Sequence, residues 1–106
     1  MSKKREESSS KELLLPSEGQ VVCVVTEIIG ADWVKMLCAD GVERMGRIPG
    51  KFRRKVWISP GDLVLAAPWD YQKNKADVLY RYERDEKKKI IEMGYISKEI
   101  LDLVSK

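Results

Sequence analysis

One stretch of the sequence separates two groups of predicted strands and carries a concentrated positive charge. It reads Gly46-Arg-Ile-Pro-Gly-Lys-Phe-Arg-Arg-Lys-Val-Trp-Ile58, and it begins as a strand that breaks at Pro49-Gly50. No acidic residue lies between Arg44 and Gly61, and six basic residues give that segment a charge of +6: Arg44, Arg47, Lys51, Arg53, Arg54 and Lys55. The whole chain carries +3, so the remainder sums to −3. Charge concentrated in this way is typical of a polyanion-binding site, and a solvated cationic loop is the alternative.

The composition argues against catalysis. Histidine is absent, which removes the commonest general base and the commonest metal ligand. The two cysteines are not spaced as in a zinc site, and no phosphate-binding glycine loop occurs. The acidic residues are scattered without an evident pair. The sequence therefore predicts a protein that is not an enzyme and needs no metal or cofactor.

The cysteines and the apolar runs indicate the compartment. Cys23 and Cys38 lie in apolar, strand-like segments, and we expect them to be small buried thiols in a reducing compartment. A disulfide between them is the alternative if their two strands pair. No apolar run is long enough to span a bilayer, and no secretory signal follows the N-terminus. The sequence predicts a cytoplasmic monomer.

Runs of β-branched residues bounded by turn signals predict five short strands. Asp40-Gly41 is the strongest hairpin signal, and alternation in the second strand places Trp33 and Lys35 on one face. In the third strand Arg44 and Arg47 fall on opposite faces unless a bulge intervenes near Gly46. The predicted strands are Gln20–Ile29, Trp33–Cys38, Val42–Ile48, Leu63–Ala67 and Ala76–Tyr82.

After Glu83 the pattern becomes helical. Asp85 is the expected cap of a helix that ends before Gly94, and Ser97 is the expected cap of a second helix. Ile96, Ile100 and Val104 recur on one face of the second helix, which we expect to pack on the strands, a partner-binding face being the alternative. The predicted domains are a disordered polar N-terminal tail (1–12), a β domain (13–83) and a C-terminal helical extension (84–106).

Five short strands with a connector between the third and fourth predict an all-β fold, a five-stranded OB-fold Greek-key barrel with short C-terminal helices. Such barrels bind oligonucleotides on the face of strands two and three and on the adjoining loops. Cations contact phosphates and aromatic rings stack on unpaired bases, so single-stranded or irregular RNA is the expected ligand. The candidate RNA-binding residues are Lys51, Arg53, Arg54, Lys55, Trp57, Arg44, Arg47, Lys35 and Trp33. For Trp57, which lies between two apolar residues, a core position is as plausible as a surface position.

Four blocks of sequence resemble the translation initiation factor 1A family, closest to its archaeal branch. They are Gly46 to Ile58, Gly61-Asp62, Pro68-Trp69-Asp70-Tyr71-Gln72 and Asn74-Lys75-Ala76-Asp77, and the resemblance runs from about Gly19 to Tyr82. The basic connector is also similar, more distantly, to that of bacterial initiation factor 1. The chain departs from the eukaryotic branch at its ends, since it has a mixed-charge N-terminus and no long acidic C-terminal tail.

The resemblance implies a non-enzymatic factor that binds the small ribosomal subunit at the A site through rRNA contacts. It also implies that the protein promotes initiator tRNA binding and start-site selection, together with other initiation factors. In the family the connector makes the rRNA contacts, which here implies Lys51, Arg53, Arg54 and Lys55, closed by Trp57. The resemblance supports the same role less strongly for Arg44, Arg47 and Lys35.

Two other functions remain open on the sequence alone. A non-specific single-stranded RNA chaperone of the cold-shock type would need several aromatic residues on adjacent surface strands. A protein-interaction module would use the basic connector against an acidic partner and the apolar face of the last helix. The concentration of charge in one connector favours docking on one folded RNA.

Overall fold

The computed structural model describes residues 13–50 and 57–104, which form five strands and two helices. The predicted disordered tail (1–12) and the basic positions Lys51, Arg53, Arg54 and Lys55 lie outside the described residues. The elements are β1 (Val21–Ile28), β2 (Trp33–Cys38), β3 (Glu43–Arg47), β4 (Leu63–Pro68), β5 (Lys75–Arg81), α1 (Arg84–Glu92) and α2 (Lys98–Val104).

The strands close into a barrel in the order β1-β2-β3-β5-β4. All neighbouring strands are antiparallel except β3 and β5, which run parallel with Arg47 opposite Asp77. The inversion of β4 and β5 relative to chain order makes the barrel a Greek key, and the five-stranded OB-fold prediction is confirmed.

The barrel interior is filled by one of the two alternating sets of strand residues. In β2 the residues Val34, Met36 and Cys38 are buried, whereas Trp33 and Lys35 are only half-buried. The predicted alternation of this strand is confirmed. The interior cluster contains ten buried residues: Cys23, Val25, Val34, Met36, Cys38, Ile48, Val64, Ala66, Ala76 and Val78.

The expectation that the two cysteines are thiols is wrong. Cys23 in β1 and Cys38 in β2 are directly paired across the antiparallel ladder, and a disulfide joins them. The sequence places each cysteine in an apolar strand. The register that sets the two side chains opposite each other inside the barrel is a property of the folded sheet.

The β2–β3 hairpin confirms the Asp40-Gly41 turn. Gly41 has φ 84° and its N–H donates to the carbonyl of Cys38, while the N–H of Cys38 donates to the carbonyl of Val42. Gly41 closes a three-residue loop. Its left-handed backbone conformation costs glycine little free energy, whereas a residue with a Cβ would be strained there. β3 itself pairs with β2 without a bulge, so Arg44 points inward and Arg47 points outward.

The two helices cover the outer surface of β1 and β4. A second apolar cluster joins Val22, Val24, Leu63 and Leu65 of these strands to Ile90 and Ile96, with Ile100, Leu101 and Val104 packed against it. The last helix therefore packs on the barrel, as predicted. The same cluster includes Leu37 of β2 and Tyr80 of β5, but it does not include the outward residues Trp33, Arg47 and Asp77.

The helix ends confirm one predicted cap and correct the other. Ser97 accepts a hydrogen bond from the N–H of Ile100 at 3.2 Å, as a cap should. The cap of α1 is Glu83, not Asp85, because Glu83 and Glu86 form a reciprocal capping box. Asp85 instead lies in the first turn, where its charge faces the positive end of the helix dipole.

Candidate nucleic-acid interface

The outer surface of β2, β3 and β5 carries two rows of side chains, because strand register aligns outward residues across the sheet. One row runs Trp33, Arg47 and Asp77, and the next runs Lys35, Met45 and Lys75. Two predicted residues on β2 and one on β3 are therefore neighbours on one face. We call this surface the β2–β3–β5 face.

Three aromatic rings cluster at one end of the β2–β3–β5 face. The Trp33 and Trp69 ring centroids are 6.1 Å apart in an edge-to-face arrangement, and those of Trp69 and Tyr71 are 6.4 Å apart. The Tyr71 side chain is 83% exposed. The exposed Tyr71 ring is therefore accessible for stacking on an unpaired base.

Cations flank these rings. The Lys75 ammonium lies 5.5 Å from the Trp33 ring centroid and 5.9 Å from the Trp69 ring centroid, within the range of a cation–π contact. Arg47 is exposed in the same row as Trp33. The Lys35 ammonium lies 3.9 Å from the carboxylate of Glu27, and the two side chains are 41% and 61% exposed. An ion pair this exposed is weak, so the ammonium can exchange it for a phosphate. Cations and aromatic rings together form a surface that fits single-stranded RNA.

Arg44 is placed differently from the other candidates, because its side chain is only 6% exposed. Its guanidinium donates two hydrogen bonds of 3.0 Å to the carboxylate of Asp40, and its Nε donates to the carbonyl of Lys73 at 2.6 Å. The hydrogen bonds from Arg44 hold the pKa of Asp40 below its ordinary value. These contacts occupy the donors that a phosphate would need, so we assign Arg44 to fixing the β4–β5 loop and not to RNA contact.

Trp57 is on the surface. Its side chain is 83% exposed, which answers the question that the sequence left open between core and surface. An exposed indole directly after the basic connector is suited to stacking on a base. The connector residues Lys51, Arg53, Arg54 and Lys55 stay sequence predictions, since they lie outside the described residues.

The site residues selected from the sequence do not include Trp69, Tyr71, Lys75 or Asp77, although all four lie in blocks that carry the family resemblance. The sequence predicts a polar loop and the start of a strand for the segment that contains them. The parallel pairing of β5 with β3 brings Lys75 and Asp77 beside Met45 and Arg47, although about 30 residues separate these pairs in the chain. The local signal that could have found part of this set is Trp69-Asp70-Tyr71, two aromatic residues in a polar loop that should sit at the surface.

Two features are absent from the part of the chain that the structure describes. No group of His, Cys, Asp and Glu side chains in residues 13–50 and 57–104 is arranged to hold a metal ion. No helix in that same part of the chain is long and apolar enough to cross a membrane.

Comparison with known proteins shows the family to which the chain belongs. The model of the family described as translation initiation factor 1A / IF-1 matches residues 10–104. The chain belongs to this family. It is 47% identical to translation initiation factor 1A of Sulfurisphaera tokodaii over 96% of both chains. It is also 50% identical to that of Metallosphaera sedula, over 92% of this chain and 90% of the relative.

A third relative, translation initiation factor 1A of Saccharolobus islandicus, is 45% identical over 92% of this chain. The family resemblance inferred from the four sequence blocks is thus confirmed, including its archaeal branch. Membership of the translation initiation factor 1A family supports a role in translation initiation and an association with the ribosome.

Proposed function

We propose that this protein binds the small ribosomal subunit at the A site through contacts with rRNA, without enzymatic activity of its own. From that position it promotes initiator tRNA binding and start-site selection together with other initiation factors. The observation that carries the proposal is the β2–β3–β5 face of a translation initiation factor 1A barrel, where Trp33, Lys35 and Arg47 lie together. Trp57, after the connector, is exposed as well.

The distribution of charge supports docking on RNA. The segment from Arg44 to Gly61 has six basic and no acidic residues. The apolar cluster under the described helices centres on β1 and β4 and includes none of Trp33, Arg47 and Asp77. A phosphate backbone can therefore approach these outward residues of the β2–β3–β5 face without meeting the described helices. Most of the affinity should come from phosphate contacts, and the aromatic rings should add base stacking.

The test is binding of the full chain to purified small ribosomal subunits, titrated over salt. Neutralisation of about four to six phosphates should give a slope of roughly −3 to −5 for log affinity against log salt concentration. Replacing Arg53, Arg54 and Lys55 together by alanine should abolish saturable one-to-one binding. A folded triple variant that binds as tightly as the parent chain would contradict the assignment of the connector.

A matched control removes the same charge elsewhere. Arg84, Lys88 and Lys89 are exposed on α1, on the other side of the barrel, and changing these three to alanine also subtracts three positive charges. This variant should keep most of the subunit affinity. Equal losses in the two triple variants would mean that only net charge matters.

A second candidate function is non-specific binding of single-stranded RNA. The observation in its favour is the cluster of Trp33, Trp69 and Tyr71, which gives more surface aromatic residues than the sequence suggested. Competition separates the two functions, because a chaperone would be displaced from subunits by any unstructured RNA at similar concentration. A factor that docks on the subunit would be displaced from it only by a large excess of unstructured RNA.

A further inference from the structure

A groove runs beside the aromatic cluster, between β3 and the β4–β5 loop. It is lined by Arg47, Pro68, Trp69, Tyr71 and Asp77, with Asp70 at its rim, and its volume is about 440 Å³. Ligand sites are typically about 300–1,000 Å³, so the groove has room for one planar ring system. A second groove, lined by Arg47, Pro49, Asp77 and Leu79, continues from it along β5.

Asp77 is the unusual member of this surface. Register places it in the row of Trp33 and Arg47 on one side and opposite Ala67 on the other, so it lies at the floor between the cation and the aromatic rings. It is half-buried, and across residues 13–50 and 57–104 its carboxylate makes neither a hydrogen bond nor an ion pair. The oxygens of this carboxylate are therefore available to accept hydrogen bonds from a ligand in the groove.

The carboxylate restricts what can enter. It repels a phosphate and accepts hydrogen bonds only, so a group that sits against it must present N–H donors. Among bases, cytosine, adenine and guanine carry an amino group, and carboxylates accept from such groups in known base recognition. Guanine offers two adjacent N–H donors on its Watson–Crick edge, which match the two oxygens of one carboxylate. Uracil offers a single imino N–H there.

We propose that this groove seats one unpaired, amino-bearing nucleobase of RNA, guanine best, with Asp77 reading its edge and Tyr71 and Trp69 stacking on its ring. Arg47, exposed beside Asp77, then meets the phosphate or sugar of the same nucleotide. The inference rests on the proposed RNA-binding function and adds a base preference to a surface whose other residues favour any RNA.

The test uses the full chain and four probes, the 5′-monophosphates of guanosine, adenosine, cytidine and uridine. Binding is followed by two-dimensional NMR through the amide of Asp77 and the indole N–H of Trp69. Guanosine monophosphate should bind roughly five- to tenfold more tightly than uridine monophosphate, as expected for a bidentate contact in an open groove. Asp77→Asn should bring that ratio to about one.

Asp70→Asn is the matched control, because it removes the same charge from the rim of the same groove, where Asp70 is exposed. It should keep the guanosine preference. Tyr71→Leu changes a side chain that is 83% exposed, so its fold should be intact, and it should weaken all four probes by roughly tenfold or more.

Two results would overturn the inference: equal affinity of the parent chain for all four probes, or equal effects of Asp77→Asn and Asp70→Asn. The measurement needs no ribosomal subunit, so it is separate from the proposed function. A chain that binds subunits with the expected salt dependence but shows no base preference would refute the base site alone. A chain that fails to bind subunits would refute the proposed function, whatever its nucleotide preference.

Discussion

Gly46 marks the point where β3 passes closest to the side chains inside the barrel. A Cβ at this position would lie 2.9 Å from Sδ of Met36 and 3.0 Å from Cγ2 of Val78. The backbone there does not need a positive φ, so the requirement is for space and not for conformational freedom. Met36 and Val78 are both fully buried, and neither can move without disturbing the core.

Gly46→Ala is therefore expected to destabilise the protein by about 1–3 kcal/mol, the usual cost of overpacking a core. The measurement is the free energy of unfolding from urea denaturation. Gly30→Ala is the control, because a Cβ at Gly30 meets nothing within 4 Å, and it should change stability by less than about 0.5 kcal/mol. Equal stability of the two variants would contradict the packing argument.

Arg44 and Arg47 show that local sequence does not reveal which face of a strand the barrel will enclose. Both are basic, both belong to the same strand, and both were predicted to contact RNA. The pleat turns Arg47 outward beside Trp33, and it turns Arg44 inward to Asp40 and the Lys73 carbonyl. The sequence indicated their opposite faces correctly, but only the closed barrel decided which face is interior.

At the scale of elements, α1 is fastened to the barrel through a buried carboxylate. The Tyr80 hydroxyl on β5 donates to Glu86, 2.8 Å from one oxygen, and Glu86 also accepts from the N–H of Glu83. Lys87 of the same helix donates to the carbonyl of Gly61 at 2.8 Å. Burial and the Glu86 carboxylate raise the pKa of Tyr80 to about 12, and burial raises the pKa of Tyr82 to about 12.

These shifts predict a loss of stability in alkali. The tyrosines stay neutral in the folded state up to about pH 12, whereas in the unfolded chain they ionise at the ordinary phenol pKa of 10.0. The free energy of unfolding should therefore fall as the pH rises from 10 to 12. Tyr80→Phe should make this decrease smaller, because only the contribution of Tyr82 would remain. The same change should lower the free energy of unfolding at pH 7 by about 1–3 kcal/mol, because the hydrogen bond to Glu86 is lost.

Urea denaturation between pH 7 and 11 measures both effects. Tyr71→Phe removes an exposed hydroxyl from the opposite surface and controls for the loss of a phenol as such. An unchanged alkaline slope in Tyr80→Phe would show that the Tyr80–Glu86 contact does not govern the titration.

At the scale of the whole molecule, the outer surface of the barrel is divided between two uses. Over β1 and β4 it is apolar and covered by α1 and α2, and over β2, β3 and β5 it is cationic and aromatic. The sequence predicted a barrel domain (13–83) and a helical extension (84–106). The packing of Ile90 and Ile96 against β1 and β4 suggests that the extension is needed for a stable barrel.

Deleting residues 84–106 should therefore expose Val22, Val24, Leu63 and Leu65, which are at most 1% exposed in the full chain. Each such side chain returned to water costs roughly 1.5–3 kcal/mol, so the shortened chain should self-associate or unfold at a lower temperature. Size-exclusion chromatography with light scattering and thermal melting report on both. A deletion of residues 97–106 alone should have a smaller effect, since Ile90 and Ile96 would remain. A monomeric chain of unchanged stability after the longer deletion would mean that the barrel is an independent domain.

The sequence by itself determined the number of strands, the alternation within β2, the Asp40-Gly41 hairpin, the packing face of α2 and the family. Each of these depends on residues close together in the chain, where side-chain period and turn chemistry act directly. Tertiary structure alone decided the Cys23–Cys38 pair, the burial of Arg44 and the meeting of Lys75 and Asp77 with β3. These depend on pairing between distant strands and on which side of the sheet the barrel encloses, and a local pattern carries no information about either.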